Sequence, residues 1–413
     1  MKNLLLILIA GLAWSCTGNH PKIHEWRGEN RDGIYDEANL LKEWPEDGPE
    51  EIWYLEGIGN GFGSPVVADD RLYITGAMDS TAILSCIGLD GISIWQTPFG
   101  LEWVSNFPGS RSAPTLVDDL IYVGSGRGNI YCMEKQSGQV VWSKDFQEDF
   151  QGIPTAFGHS ESPAVEGDRV FWTPGGELHN VVAMNRFTGE WIWSNPGFSE
   201  RASYSSPRII ALPGRHVLLT TSAYHLMGFD TRTGEMLWSH EQDNYPVEKR
   251  EPMQGDTHAN TPLFEDGFIY YANGDGNCAV KLKLSEDGSE IREVWRNSAF
   301  DCYMGGIIKV GNTIYGSGIA KPGLRALDVN TGLLTDSLKA GRGAIIEADG
   351  MIYYYNWKGE MKLIRTQEGR MEEVSSFDIE RGGKEHFSHP VIHHGVLYQR
   401  HGDVLMAFDI SDQ

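Results

Sequence analysis

The stretch SPVVADDRLYITG, residues 64–76, decides the fold. It reads as an apolar alternation, an Asp-Asp turn and a β-branched, aromatic run, that is, two short strands and the hairpin joining them. The chain writes the phrase again as APTLVDDLIYVGSG (113–126), SPAVEGDRVFWTPG (162–175), TPLFEDGFIYYANG (261–274) and HPVIHHGVLYQRHG (389–402). Eight residues beyond the proline stands an aromatic marker: Pro65 leads to Tyr73, Pro114 to Tyr122, Pro163 to Phe171, Pro262 to Tyr270 and Pro390 to Tyr398. Ile307 and Ile345 fill the proline slot for Tyr315 and Tyr353, and Pro207 reaches Leu218 after an insertion at LPGR. That makes eight copies, with second markers 38 to 52 residues apart. Repeats of this length are solenoids, arrays or propellers.

The second half of the unit chooses among them. LDGISIW, KQSGQVVW, NRFTGEWIW and DTRTGEMLW each place a glycine four residues before a tryptophan, at Trp95, Trp142, Trp193 and Trp238. Glycine supplies the positive φ of a tight hairpin turn. Trp295 holds the slot less regularly, and the sixth and seventh copies have Ser337 and Phe377 near it. Four strands and no helical segment describe a propeller blade. The last copy stops at MAFDISDQ, before its tryptophan strand, while PEEIWYLEG around Trp53 precedes the first copy as an isolated one. The expectation is an all-β, eight-bladed β-propeller over residues 50–413. Each blade has four antiparallel strands, and the N-terminal strand closes the last blade and removes the open edges. Residues 16–49 form an extended arm lying across it.

The leader MKNLLLILIAGLAWSC has one lysine, a short apolar core and a terminal cysteine. The core is too short to span a bilayer, and the layout is that of an export signal. Residues 1–15 resemble a bacterial lipoprotein signal peptide, which implies lipidation of Cys16 and a periplasmic chain anchored to the outer membrane. The formal charge of −23 over 413 residues repels phosphate backbones, which excludes nucleic-acid binding and leaves the lipid anchor as the only membrane contact. Cys86, Cys132, Cys278 and Cys302 match no metal spacing; they read as buried thiols, with a Cys278–Cys302 bridge as the alternative. GSGRGN (124–129) follows a strand and opens no helix, so it is a hairpin turn rather than a phosphate loop.

The G-x-x-x-W endings, the eight copies and the segment WRGENRDGIY (26–35) resemble the PQQ-binding-like (quinoprotein-like) β-propeller repeat proteins. One branch of that family is the quinoprotein alcohol dehydrogenases, which hold pyrroloquinoline quinone and calcium in the central channel. Another is the BamB-type outer-membrane assembly lipoproteins, which are non-catalytic scaffolds. The resemblance implies that the tryptophans dock between blades. It leaves the activity open.

A site is expected at the channel mouth, where the loops entering the first strands gather. Four residues before the proline slot stand His159, His258, Tyr303 and His386 among others, and two before it Glu161 and Asn260. In extended chain these share one side. The intervening position holds Phe62, Arg111, Tyr204, Met304, Arg342 and Phe387. Three readings compete for the polar side. It hydrogen-bonds neighbouring loops; or, with Arg111 and Arg342, it binds a small polar ligand or an envelope protein; or Asp256, Asn260 and Glu161 hold a metal such as calcium. The quinone alternative, an alcohol or sugar dehydrogenase, would use Arg111 and Arg342 for the carboxylates, Tyr303, Trp103 or Trp357 as an aromatic floor, and Asp256 as base. Against it, no two cysteines are adjacent and no haem-attachment signature occurs. The reading adopted is a monomeric binding scaffold without cofactor.

Overall fold

A computed structural model describes residues 22–241, 258–274 and 277–412. These form eight antiparallel sheets in sequence order around a central axis, and no helix occurs among them. Blade one comprises Val66–Ala68, Arg71–Met78, Thr81–Gly88 and Ser93–Leu101, from the axis outward. Blades two to seven follow the same plan. In blade eight the chain end supplies Val391–His393, Val396–His401 and Val404–Asp409, and Glu50–Glu56 pairs with the last of these as the outer strand. The ring is therefore closed by the two ends of the domain, as the displaced Trp53 strand implies. LPGR lengthens the first hairpin of blade four, in which Arg208–Leu212 pairs along its whole length with Arg215–Leu219.

Alternation buries one side of each sheet against the blade before it and the other against the blade after. The hydrophobic interior is accordingly divided into eight clusters, one in every seam. Tyr73, Leu84 and Cys86 of blade one meet Leu116, Ile121 and Tyr131 of blade two in one of them. Cys86, Cys132, Cys278 and Cys302 are all buried in such seams. The Cys302 thiol donates to the Gly306 carbonyl at 3.2 Å.

The glycine–tryptophan motif acts between blades. In all eight outer strands a β-bulge falls immediately before the tryptophan slot. A bulge re-aims the following side chain, here toward the turn of the next blade. The indoles of Trp53, Trp142, Trp193 and Trp295 donate to the carbonyls of Leu89, Arg186, Thr231 and Val329 in the next blade, at 2.8–2.9 Å. Each ring also lies on that blade's turn glycine. Gly234 has φ +73°, and a Cβ there would sit 2.5 Å from the Trp193 ring. The turn itself is set by Asp230, whose carboxylate accepts from the backbone of Arg232 and Thr233 at 3.0 Å.

Two blades lack the indole, and their slots hold Asp336 and Ser375, next to the Ser337 and Phe377 expected near them; Asp336 keeps the four-residue offset from Gly332, and Ser375 follows Gly369 by six because that hairpin is longer. Asp336 accepts from Met371 N of the next blade at 2.8 Å. Ser375 accepts from Trp44 N of the arm at 2.8 Å, and the buried Trp44 ring packs on Tyr353 and Phe377. The arm thus supplies the indole that blade seven does not.

Upstream, the arm crosses the channel. Ile23–His24 adds to the inner strand of blade two, and Ile34–Tyr35 runs parallel to that of blade seven. Between them WRGENRDG turns through the axis. Arg31, 2% exposed, donates to the carbonyls of Ser162, Pro163 and Pro207 and to Thr115 Oγ1, and pairs with Glu25. Arg27, 1% exposed, donates to the carbonyls of Ile307 at 2.8 Å and Ile345 at 3.4 Å. Most of these carbonyls belong to the proline-slot residues, at the point where the inner strands crowd the axis.

The Gly234→Ala variant should lose about 1–3 kcal/mol of unfolding free energy, from a left-handed backbone and a displaced Trp193. Urea denaturation checks it; a change below about 0.3 kcal/mol would mean that the indole does not rest on this turn.

Candidate functional site

The entry loops alternate as expected, but with the sides reversed. The positions four and two before the proline slot mostly turn into the seams, Tyr303 being the large side chain among them that reaches the cavity, and the intervening position faces the axis. All eight intervening residues are half-buried and line one cavity of about 300 Å³. Its apolar members are Phe62, Tyr204, Ala259, Met304 and Phe387; its polar ones are Arg111, Ser160 and Arg342. The loop joining blades one and two adds Phe107, and the next adds Phe157. Ring contacts run from Phe62 to Phe387 (5.4 Å), Phe107 (6.0 Å), Phe157 (6.1 Å) and Tyr204 (5.9 Å). Trp26 of the arm and His389, edge-on to one another at 5.0 Å, lie at its base.

The physical reason for the reversal lies in the seams. His159 Nε2 bonds the Thr173 carbonyl at 3.1 Å, and both Glu161 oxygens accept from Thr173 N. His258 Nδ1 bonds the Ser222 carbonyl at 3.0 Å. Asn260 donates to the carbonyls of Ala272 and Cys302 and accepts from Gly306 N. These four residues are at most 3% exposed, and they satisfy loop backbone that water cannot reach. His386 bonds the Tyr355 hydroxyl and stacks on His401 at 3.8 Å. Of the expected ligand residues, Arg111, Tyr303 and Arg342 line the mouth, and His159, Glu161, His258, Asn260 and His386 do not.

The small residues at the flanking positions are small for the same reason. A Cβ on Gly61 would meet Arg400 Nη2 at 2.5 Å, and one on Gly305 would meet Gly343 O at 1.8 Å. Smallness there marks blade approaching blade. The signal available in the sequence was the large apolar side chain recurring between small neighbours. Nothing in the repeat pointed to Phe107, Phe157 or Trp26, which lie outside its strands.

Burial sets the protonation of the seam groups. It pushes Glu161 up to about 8 despite the Thr173 hydrogen bonds, and His159 and His258 down to about 4. Glu102, beneath the mouth loop, is pushed up to about 7 by burial while accepting from Trp103 N and Gly126 N. Arg111 is lowered by burial to about 10; it donates to the carbonyls of Gly109 at 2.6 Å, Phe107 at 2.5 Å and Asn106 at 3.3 Å, and so braces the loop that carries Phe107. Its guanidinium lies 5.6 Å from the Phe62 ring. Arg342 lies over Trp357 at 4.9 Å, and its buried Nε has no hydrogen-bond partner.

The calcium set expected from the residue types Asp256, Asn260 and Glu161 is not seen assembled among the described residues. Asn260 and Glu161 are committed to backbone, Asp256 lies outside the described residues, and no group of three or more metal-ligating side chains gathers among the described ones. Below the mouth the axis is filled by Trp26, Arg27 and Arg31. Arg111 and Arg342 are available to an anion, but the residues present do not fit a quinone held against calcium.

Fold and site together define an eight-bladed propeller with a plugged channel and an aromatic mouth. The family model described as outer membrane protein assembly factor BamB matches residues 80–334, more than half of the chain, and the chain belongs to this family of PQQ-like repeat propellers. BamB of Shewanella oneidensis is 23% identical over 216 residues, which are 50% of this chain and 49% of that protein. The quinoprotein ethanol dehydrogenase of Pseudomonas aeruginosa is 26% identical over 157 residues, 35% of this chain and 24% of that one. The chain thus spans about half or less of the length of these relatives. Among solved structures, BamB from Moraxella catarrhalis superposes with a TM-score of 0.62 at 13% identity, over 87% of this chain and 99% of that one, a likeness of fold.

A titration tests the seam. Glu161 holds a proton in the folded state that the unfolded chain releases above pH about 4.5, so stability is present at low pH and falls as pH rises, the loss being complete above about 8. Glu161→Gln removes the dependence. Its melting temperature should gain on the parent between pH 5 and pH 9, with a free-energy slope of up to about 1.4 kcal/mol per pH unit; parallel curves would place the carboxylate in water.

Proposed function

We propose that this chain is a non-catalytic binding module of the bacterial cell envelope and that its channel mouth grips a segment of a partner protein. The observation that carries this reading is the convergence of one residue from every blade on a single aromatic cavity. A fold needs only filled seams, and eight clusters fill them without the mouth. Rings left half-exposed at a cavity rim are costly unless something covers them, and aromatic and arginine side chains are the usual anchors of protein contacts. The outer-membrane assembly factors among the relatives favour an envelope partner. Cys16 would tether the chain to the outer membrane, in the periplasm, with residues 1–15 removed.

Two measurements test the reading. A photo-crosslinking residue at Phe387 should trap one defined envelope protein, whereas the same residue at Ile94 on the outer edge of blade one should not. Tyr204→Ala should abolish the adduct with the melting temperature within about 3 °C of the parent. Equal trapping at both positions would place the contact elsewhere. For the anchor, Cys16→Ser should move the chain from the membrane fraction to the soluble periplasmic fraction; unchanged membrane association would remove the lipid.

A further inference from the structure

The mouth carries charge information as well as shape. Arg111 comes from blade two and Arg342 from blade seven, and both line the one cavity. Acidic residues outnumber basic ones by 57 to 34, and several exposed or half-exposed arginines have a carboxylate within 4 Å, as Arg169, Arg296 and Arg381 do. Among the described residues neither Arg111 nor Arg342 has one. Each is instead laid against an aromatic ring, Phe62 or Trp357; Arg111 spends its Nη groups on loop carbonyls and contributes charge, whereas the Arg342 guanidinium keeps donors for an acceptor. Arg342 Nε is a buried donor with no partner, a group that costs free energy until an acceptor reaches it. The carboxylates whose charge acts on Arg111 are Glu102, which accepts from Trp103 N and Gly126 N through Oε1, and Glu385, and neither forms an ion pair with it.

The apolar half of the site extends beyond the cavity. Along the loop that carries Phe107, Leu101 is 61% exposed, Val104 50% and Phe107 itself 41%. A small molecule filling about 300 Å³ would leave these in water, whereas an extended chain covers cavity and rim together. Resting on the binding reading above, we infer that the mouth takes a peptide segment in which a carboxylate side chain stands beside large apolar ones. The carboxylate meets Arg342 and Arg111, and the apolar groups enter the run of Phe62, Phe387, Phe107 and Phe157. The net charge of −23 disfavours an acidic segment on the propeller as a whole, which helps to make an anion contact at the mouth selective.

Calorimetric titration of the mature chain with three short peptides, blocked at both ends, tests the inference: alternating Phe and Asp, Phe and Asn, and Ala and Asp. The Phe-Asp peptide should bind, and each control should bind about tenfold or more weakly. Arg342→Gln should reduce Phe-Asp affinity about tenfold and leave Phe-Asn affinity unchanged, and raising salt from about 50 to about 500 mM should weaken Phe-Asp alone. Should Arg342→Gln fail to fold, Phe387→Ala provides the same comparison from the apolar side and should lose Phe-Asp binding. Equal affinity for Phe-Asp and Phe-Asn overturns the inference, as does binding of free phenylpropionate as tight as that of the peptide. If the Phe387 crosslink forms but Phe-Asp does not bind, the chemistry named here fails and the binding reading stands. If the crosslink fails while Phe-Asp binds, that reading fails and the mouth keeps its specificity.

Discussion

Eight inner strands arrive together around one axis, and among the described residues only those of blades two and seven have a strand, each from the arm, on their inner edge. Everything else in this molecule answers to that crowding. A buried carbonyl without a donor is costly, and this chain sends two arginines from its N-terminal arm to meet the carbonyls of four blades. Arginine suits the task because its planar fork bonds several acceptors at once; Arg31 alone reaches carbonyls of Ser162, Pro163 and Pro207. Once the arm is there, the channel is no longer a pore. It becomes a cup, with Trp26 at its base.

The same crowding governs the rim. Where loops of adjacent blades press together, only glycine, serine or a side chain able to bond backbone will fit. That requirement occupies His159, Glu161, His258 and Asn260 and holds Glu161 protonated and the two histidines neutral near pH 7. Chemistry that looks available in the sequence is thereby taken out of circulation. What remains free to face a partner is the residue between, and in five of eight blades it is apolar. The propeller can vary that ring without disturbing its seams, which is why one fold serves proteins as different as a dehydrogenase and an assembly factor.

The arm also repairs an irregularity of the repeat. Blades six and seven lack the tryptophan that elsewhere bridges to the next turn, and their polar substitutes accept a backbone hydrogen bond instead, Asp336 from Met371 N of the next blade and Ser375 from Trp44 N of the arm. Trp44 restores the missing volume between blades seven and eight. Closure of the ring thus rests on two pieces from one end of the chain, Trp44 and the strand Glu50–Glu56.

The repeat, the blade count, the four strands and the closing strand were all legible in the sequence. They rest on local rules: period-two alternation, glycine where φ is positive, a tryptophan at fixed offset. The period of the entry loops was legible too, so that Arg111, Tyr303 and Arg342 could be read as mouth residues. Which side of that alternation faces the axis was not, because a polar side chain satisfies backbone in a seam as well as it greets a ligand in a channel, and spacing does not tell the two apart. Nor could sequence place Arg27 and Arg31, whose partners lie up to 318 residues away and come together only once the ring has closed. Tertiary structure decided those matters, since only the assembled wheel determines which polar atoms have lost their water.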